Sequence, residues 1–194
     1  MYISANVDDC ALIINDFLSQ DLFKKINKYQ YKTNLTSHKD WQKTLFKDKN
    51  NDVTMNQVFS KIDLATVEYN KIKSIDLIFE KFLKILIDCP FIPYQINSKI
   101  SLHYYEYNKY SGINWHDDGP FTLNYSFYIH DEWDENWGGE TLIDTNRGMP
   151  LCSTPIPNSL LAIKNGIRHK VNCVIGPKKR KVLQVRGVFF EDNE

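Results

Sequence analysis

No CxxC pair occurs among the four cysteines, Cys10, Cys89, Cys152 and Cys173. Their wide scatter argues against a zinc knuckle or a disulfide framework, and they read as reduced, mostly packed thiols. Neither sign of charge is in excess, with 24 Lys plus Arg against 24 Asp plus Glu. The chain therefore lacks the strong field of a polyanion-binding surface, and a nucleic-acid partner is disfavoured. With 42% hydrophobic residues it also lacks the composition of a disordered chain. No apolar run approaches the roughly 20 residues of a bilayer span, and no basic segment leads into an apolar run at the N-terminus. These absences make a soluble cytoplasmic protein without a membrane partner the expectation. Internal repeats and low-complexity tracts are missing as well, and the oligomeric state is left open.

What remains is enough for one domain. A length of 194 residues supports a single unit with a real core and is short for two. We therefore expect one domain over 1–194, with supporting elements in 1–96 and a core carrying the chemistry in 97–190.

The first half reads as helical support. Residues 11–18 are a short apolar run, and Ser19 is placed to cap a helix reaching Lys28. Residues 31–57 are polar, with isolated aromatics such as Trp41 and Phe46, which predicts a surface loop or lid. From Ser74 to Cys89 the apolar positions Ile75, Leu77, Ile78, Phe82, Leu83, Ile85 and Leu86 recur at three and four, predicting a helix on a core that ends at Cys89-Pro90.

After Pro93 the period becomes two. Ile100, Leu102, Tyr104 and Glu106 alternate with Ser101, His103, Tyr105 and Tyr107. In residues 121–129 Phe121, Leu123, Tyr125, Phe127 and Ile129 form an apolar face opposite Thr122, Asn124, Ser126 and Tyr128. Such a strand can pack outward on helices and line a polar pocket inward. Further strands fit 159–164, 168–174 and 181–190, with turn signals at Asn165-Gly166 and Gly176-Pro177. Helices first and many strands after predict an α+β, mainly β fold: a double-stranded β-helix, or jelly roll, with N-terminal helices packed on one sheet.

Chemistry concentrates in two stretches. Trp115-His116-Asp117-Asp118-Gly119 and Arg168-His169-Lys170-Val171 together supply two imidazoles and a carboxylate. That set suits Fe(II) and leaves three positions open for co-substrate and O₂. The alternatives are an exposed loop His116 and a satisfied strand His169. The HxD pair alone has little specificity, so its surroundings decide.

Those surroundings are Tyr107-Asn108-Lys109-Tyr110-Ser111-Gly112 leading to His116 and Asp118, then Phe127-Tyr128-Ile129, Trp137-Gly138-Gly139-Glu140, His169-Lys170-Val171 and Arg180. In this order they resemble the Fe(II)/2-oxoglutarate dioxygenases of the prolyl 4-hydroxylase type, over most of residues 97–190. The segment Glu135-Asn136-Trp137-Gly138-Gly139-Glu140 is similar to one in the ribosomal-protein prolyl hydroxylases, although the eukaryotic members of that subgroup have two tandem domains and this chain has length for one. The resemblance implies that His116, Asp118 and His169 ligate the metal. It implies that Arg180, eleven residues after His169, pairs with the far carboxylate of 2-oxoglutarate, and that Tyr128 donates its hydroxyl to the same group. Tyr107 matches a second pocket tyrosine. The cofactors implied are Fe(II), 2-oxoglutarate as co-substrate, O₂ and, as an optional addition, ascorbate. The activity implied is hydroxylation of a protein or peptide prolyl residue, coupled to decarboxylation of 2-oxoglutarate to succinate and CO₂. An Ala or Gly in place of Asp118 would have suggested halogenation instead.

Arg is the residue of choice for a buried carboxylate because its planar fork pairs with both oxygens. Lys178, Lys179 and Lys181 compete for the role, but strand parity puts Arg180 with Val182 and Gln184, and Lys181 with Leu183 and Val185. His103 and His130 lack a partner at ligand spacing and read as structural or near substrate. The aromatic stretch from Trp133 to Trp137 is either a lip over the site or cover for a sheet edge.

Other functions stay in view. A free amino acid or another small molecule could replace the peptide as substrate. Arg180 and Arg186 have the spacing of an arginine pair in nucleic-acid demethylases, but Val182 stands where those enzymes have Asn, and the balanced charge offers no footprint on a phosphate backbone. A non-catalytic β-helix binding module is the remaining alternative.

Overall fold

The computed structural model describes residues 1–7, 10–29, 36–37, 53–63, 77–90, 99–119, 123–145 and 148–188. Twelve strands among them make two antiparallel sheets. The first five are β1 (Tyr2–Val7), β2 (Ala11–Asn15), β3 (Thr36–Ser37), β4 (Val53–Asp63) and β5 (Lys99–Tyr107). The next are β6 (Ile113–His116), β7 (Leu123–Tyr128), β8 (Thr141–Ile143) and β9 (Leu151–Ser153). The last are β10 (Leu160–Lys164), β11 (His169–Val171) and β12 (Arg180–Val188). The major sheet has the order β1-β2-β10-β7-β12-β5-β4-β3, and the minor sheet β6-β11-β8-β9. Two helices, α1 (Gln20–Asn27) and α2 (Leu77–Ile87), complete a mainly β sandwich.

Alternation along each long strand builds two cores. One face of β5, β7 and β12 sends Leu102, Tyr104, Tyr125, Phe127, Leu183 and Val185 against the helices. The opposite face sends Tyr105, Tyr107, Tyr128 and Val182 between the sheets, where they meet Ile113, Ile143 and Val171 of the minor sheet. Shifting any of these strands by one residue would exchange the two sets, so the apolar pattern fixes the register.

The helix-side core explains both helices. Ser19 caps α1 by accepting a hydrogen bond from Leu22, and Phe23 and Ile26, three apart, are its buried residues. In α2, Phe79, Phe82, Leu83 and Leu86 fall at three-and-four spacing on one stripe. Phe127, wholly buried, lies 5.2 Å from Phe82, 5.8 Å from Phe17 and 6.3 Å from Phe23, ring centre to ring centre. Truncating it to alanine would cost about 3–5 kcal/mol. Asn158 fastens this layer to the sheet: at φ 61° it holds both the backbone N–H and C=O of Leu18 with its side-chain amide. Asn tolerates that left-handed conformation better than most residues.

The expected polar loop over 31–57 is corrected at its end. Residues 53–57 belong to β4, which pairs with β5, and Thr36 and Ser37 pair with Met55 and Thr54. The backbone partner offered by β5 overrides the polar local composition; the rest of 31–57 lies outside the described residues. The expected strand at 168–174 is shorter, running His169–Val171 with an isolated bridge between Val174 and Gly138. No helix among the described residues is long and apolar enough to cross a membrane.

Candidate functional site

The minor sheet places the two histidines. His116 ends β6, His169 begins β11, and they are direct partners in the antiparallel register, with ring centres 4.4 Å apart. Each ring is oriented by its own chain: His116 Nδ1 lies 2.6 Å from the carbonyl of Asn114, and His169 Nδ1 3.1 Å from that of Ile167. A carbonyl only accepts, so each Nδ1 carries a proton, and Nε2 is the ring nitrogen that faces Asp118. A turn supplies the carboxylate. Asp117 accepts the N–H of Gly119, whose φ of 67° suits glycine, and this turn holds Asp118 beside the rings. Asp118 Oδ2 lies 3.4 Å from His169 Nε2, and Oδ1 lies 3.9 Å from His116 Nε2. The three ligand atoms fall within 4.8 Å of one another. Ligands about 2.1 Å from a shared octahedral ion stand roughly 3 Å apart, so this cluster needs to draw in only slightly to hold one.

Neighbours orient Asp118. Asn124 of β7 donates its amide to Oδ2, and Arg186 of β12 donates to Oδ1 at 3.4 Å. Gln184 holds the Asn124 carbonyl at 2.7 Å. Gln184 and Asn124 thus form a chain of donors ending on the carboxylate, and Arg186 is a separate donor to its other oxygen.

A cavity of about 100 Å³ joins the cluster to Arg180. At about 10–15 Å³ per water-sized occupant, it has room for a molecule of roughly seven to ten heavy atoms. Its walls carry Ile113, Ile163, Val171 and Val182 between the polar groups. Arg180 opens β12, is only 2% exposed, and donates from Nη2 to Thr141 Oγ1 at 3.1 Å and to Tyr128 Oη at 3.3 Å. Its guanidinium also lies 4.6 Å from the ring centre of Tyr107 and 5.0 Å from that of Tyr128. No carboxylate among the described residues pairs with it, and its Nε has no hydrogen-bond partner. A buried guanidinium without an acid is costly, and it is a ready receptor for a carboxylate that arrives from outside.

Two of the three competing lysines are accounted for at the surface. Lys178 pairs with Glu132 at 3.5 Å and Lys179 with Glu106 at 2.8 Å. Burial raises the Tyr107 phenol above its ordinary value and pushes that of Tyr105 to about 12, so both stay protonated donors.

His130 is structural. Its Nε2 donates to the Pro155 carbonyl at 2.6 Å while Nδ1 accepts from the Lys181 N–H, and burial lowers its pKa to about 4. Burial, aided by the Arg186 charge, also takes His103 to about 4. The aromatic stretch packs rather than overhangs. Trp133 lies tilted against His130 with ring centres 4.6 Å apart, meets Trp137 edge-on at 5.6 Å, and donates its indole N–H to the Gly138 carbonyl. Gly139 makes this cover possible: at φ 73°, a Cβ there would lie 3.0 Å from Trp133 and 3.2 Å from Arg180. The loop therefore packs closely against the aliphatic stem of Arg180.

All six sequence-selected residues come together. His116, Asp118, His169, Tyr107 and Arg180 line the cavity, and Tyr128 touches Arg180. Five residues were missed: Tyr105, Asn124, Thr141, Gln184 and Arg186. Strand parity could have found four of these, since each sits on the inward face of a strand already recognised. Thr141 lies on a three-residue strand with no periodic signal.

The fold has solved relatives. A prolyl-4-hydroxylase from Pseudomonas putida superposes with a TM-score of 0.64 at 13% identity, covering 95% of each chain. An oxidoreductase of the 2OG-Fe(II) oxygenase family from Burkholderia pseudomallei gives 0.66 at 14% identity, over 93% of this chain and 86% of that one. A prolyl hydroxylase from Trichoplax adhaerens, solved with a hypoxia inducible factor oxygen degradation domain peptide, gives 0.59 at 13% identity, over 93% and 84%. No family model and no curated protein matches the sequence. At these identities the likeness establishes the shared fold.

Proposed function

We propose that this protein is an Fe(II)- and 2-oxoglutarate-dependent dioxygenase on a double-stranded β-helix, hydroxylating prolyl residues of a protein or peptide. The observation that carries the reading is one cavity with a His-Asp-His cluster on its wall and an acid-free, buried guanidinium at its end. The donor set fits the metal, because two Nε2 atoms and one carboxylate come together. The second feature fits a dicarboxylate, because Arg180 lacks a counter-charge among the described residues. The fold likeness to two prolyl hydroxylases supports the choice of prolyl substrate, and free thiols at all four cysteines support a cytoplasmic setting.

In this reading His116, Asp118 and His169 hold the metal. When bound, Fe(II) with 2-oxoglutarate and O₂ supplies oxidative decarboxylation to succinate and CO₂ coupled to C–H hydroxylation. The chain's own part is positional. Arg180, Tyr128 and Thr141 present three donors to the far carboxylate, and the Tyr107 ring supports the guanidinium from below. Asn124 and Arg186 hold the Asp118 carboxylate in place, while the apolar walls exclude water.

Calorimetric titration of 2-oxoglutarate into the anaerobic protein, with and without Mn(II) in place of Fe(II), tests the proposal. Binding is expected to require the metal and to weaken about 100-fold or more in Arg180→Ala, as loss of charge-assisted hydrogen bonds implies. Equal binding without metal, or in the variant, would overturn it.

A further inference from the structure

On the inward faces of β12 and β7, Gln184 is the register partner of Ser126 and Arg186 that of Asn124. Gln184 and Asn124 are therefore diagonal neighbours across the two strands. Such pairs stand roughly 7–8 Å apart, a gap that two amide side chains can close. They do so here, with Gln184 Nε2 at 2.7 Å from Asn124 Oδ1. Asn124 is 5% exposed and turns the other end of its amide to Asp118 Oδ2. Gln184 is half-buried and lines the cavity.

The carboxylate dictates the sense of both bonds. An amide turned end for end keeps its shape but exchanges donor for acceptor. An ionised carboxylate has acceptors alone, so the Asn124 end that meets Asp118 is the –NH2 group. The Asn124 carbonyl then faces Gln184, which has to answer with its own –NH2. Reversed, the Asn124 carbonyl would oppose the Asp118 oxygens, acceptor against acceptor. Without Gln184 the productive orientation carries a buried carbonyl with no donor from this side, and the bond to Asp118 loses the polarisation that a hydrogen-bonded chain supplies.

We propose that Gln184 is a positioning residue for Asp118, an assignment that rests on the metal-site reading of His116, Asp118 and His169. By donating to Asn124 it fixes the sense of that amide and so keeps a donor on the metal-binding carboxylate. Arg186 reaches the other oxygen independently, so Asp118 retains one donor when Gln184 is lost.

The test measures Mn(II) affinity of the whole protein under nitrogen, without 2-oxoglutarate, from the EPR signal of the free ion. It compares the wild type with Gln184→Met, Asn124→Ala and the double variant. Gln184→Met removes the donor while keeping a side chain of similar length. It is expected to weaken Mn(II) binding by roughly 3- to 10-fold, as the loss of one hydrogen bond implies. With Asn124 already alanine, the same substitution should change affinity by less than about twofold, because a relay through Asn124 is not additive. NMR of metal-free protein carrying isotope-labelled asparagine supplies a second readout. The Asn124 side-chain amide, identified by its absence in Asn124→Ala, should show one strongly downfield proton in the wild type and lose much of that displacement in Gln184→Met, while the other asparagine amides stay in place. Full affinity in Gln184→Met, an equal loss in both backgrounds, or an Asn124 amide that does not move would each overturn the inference and leave the metal site standing. Absence of Mn(II) binding by the wild type would overturn the metal-site reading, and this inference with it.

Discussion

Replacing Arg180 by Met should leave the ligand-free protein almost as stable as the wild type while removing its response to the co-substrate. The substitution deletes two hydrogen bonds from Nη2 and two ring contacts. At about 1.5 kcal/mol per charged hydrogen bond and about 1 kcal/mol per cation–π contact, these contribute about 5 kcal/mol. Against this stands the burial of a guanidinium with no acid, which costs several kcal/mol. Tyr128 and Thr141 remain within 3.3 Å of each other, so their hydroxyls keep a partner. The difference is within about 1 kcal/mol, or about 4 °C in Tm for a chain of this size. A ligand at 100 times its Kd adds about 2.7 kcal/mol, so saturating 2-oxoglutarate added to Mn(II)-loaded protein should raise the wild-type Tm by about 5–11 °C and that of Mn(II)-loaded Arg180→Met by no more than about 2 °C. Differential scanning fluorimetry under nitrogen reads both effects. Had Arg180 served as half of a structural ion pair, its loss would cost about 3–5 kcal/mol. A fall in the ligand-free Tm of that size, or a retained shift with ligand, would refute the reasoning.

Three further outcomes are expected. Asn124→Ala removes a donor to Asp118 and should weaken Mn(II) binding by about 10- to 100-fold in equilibrium dialysis, where an unchanged affinity would show that this donor does not tune the ligand. Gly138→Ala should lower stability by at least about 2 kcal/mol in urea, since Gly138 sits at φ 70°, ψ −153°, and a Cβ there would stand 2.2 Å from the Cys173 carbonyl oxygen; wild-type stability would show that the loop relaxes freely. For His130, the folded pKa of about 4 lies below the unfolded value of 6.5. The unfolded chain therefore binds a proton that the native state refuses, so stability is complete above pH 6.5 and falls by about 1.4 kcal/mol per pH unit as pH drops toward 4. His103 shares this window. His130→Gln should show a shallower fall in metal-free protein, and an identical slope would place the acid sensitivity elsewhere.

The sequence was legible where periodicity was long. β5, β7 and β12 carry six to nine residues of alternation, and α2 shows an unbroken three-and-four stripe. Their parity alone puts Arg180 and Tyr128 inside the sandwich and Leu183 and Phe127 on the helix side, as observed. β6, β8 and β9 are three or four residues long, too short for a period to register, and they are held by their neighbours in the minor sheet. β4 was hidden by polar composition, because its pairing partner lies some fifty residues further on. In the site, the three candidate metal ligands were visible as residue types with distinctive flanks. Asn124 and Tyr105 were not singled out, and Arg186 was noted only for its spacing from Arg180, since nothing local says that an inward-facing polar residue will reach a metal ligand or a cavity.

Succinate formation from 2-oxoglutarate under air, with Fe(II) and no prime substrate, tests the central claim most directly. Slow uncoupled turnover is expected in the wild type and its disappearance in His116→Ala and in Arg180→Ala, both shown to be folded by circular dichroism. No succinate from the wild type, or turnover that persists in both variants, would contradict it.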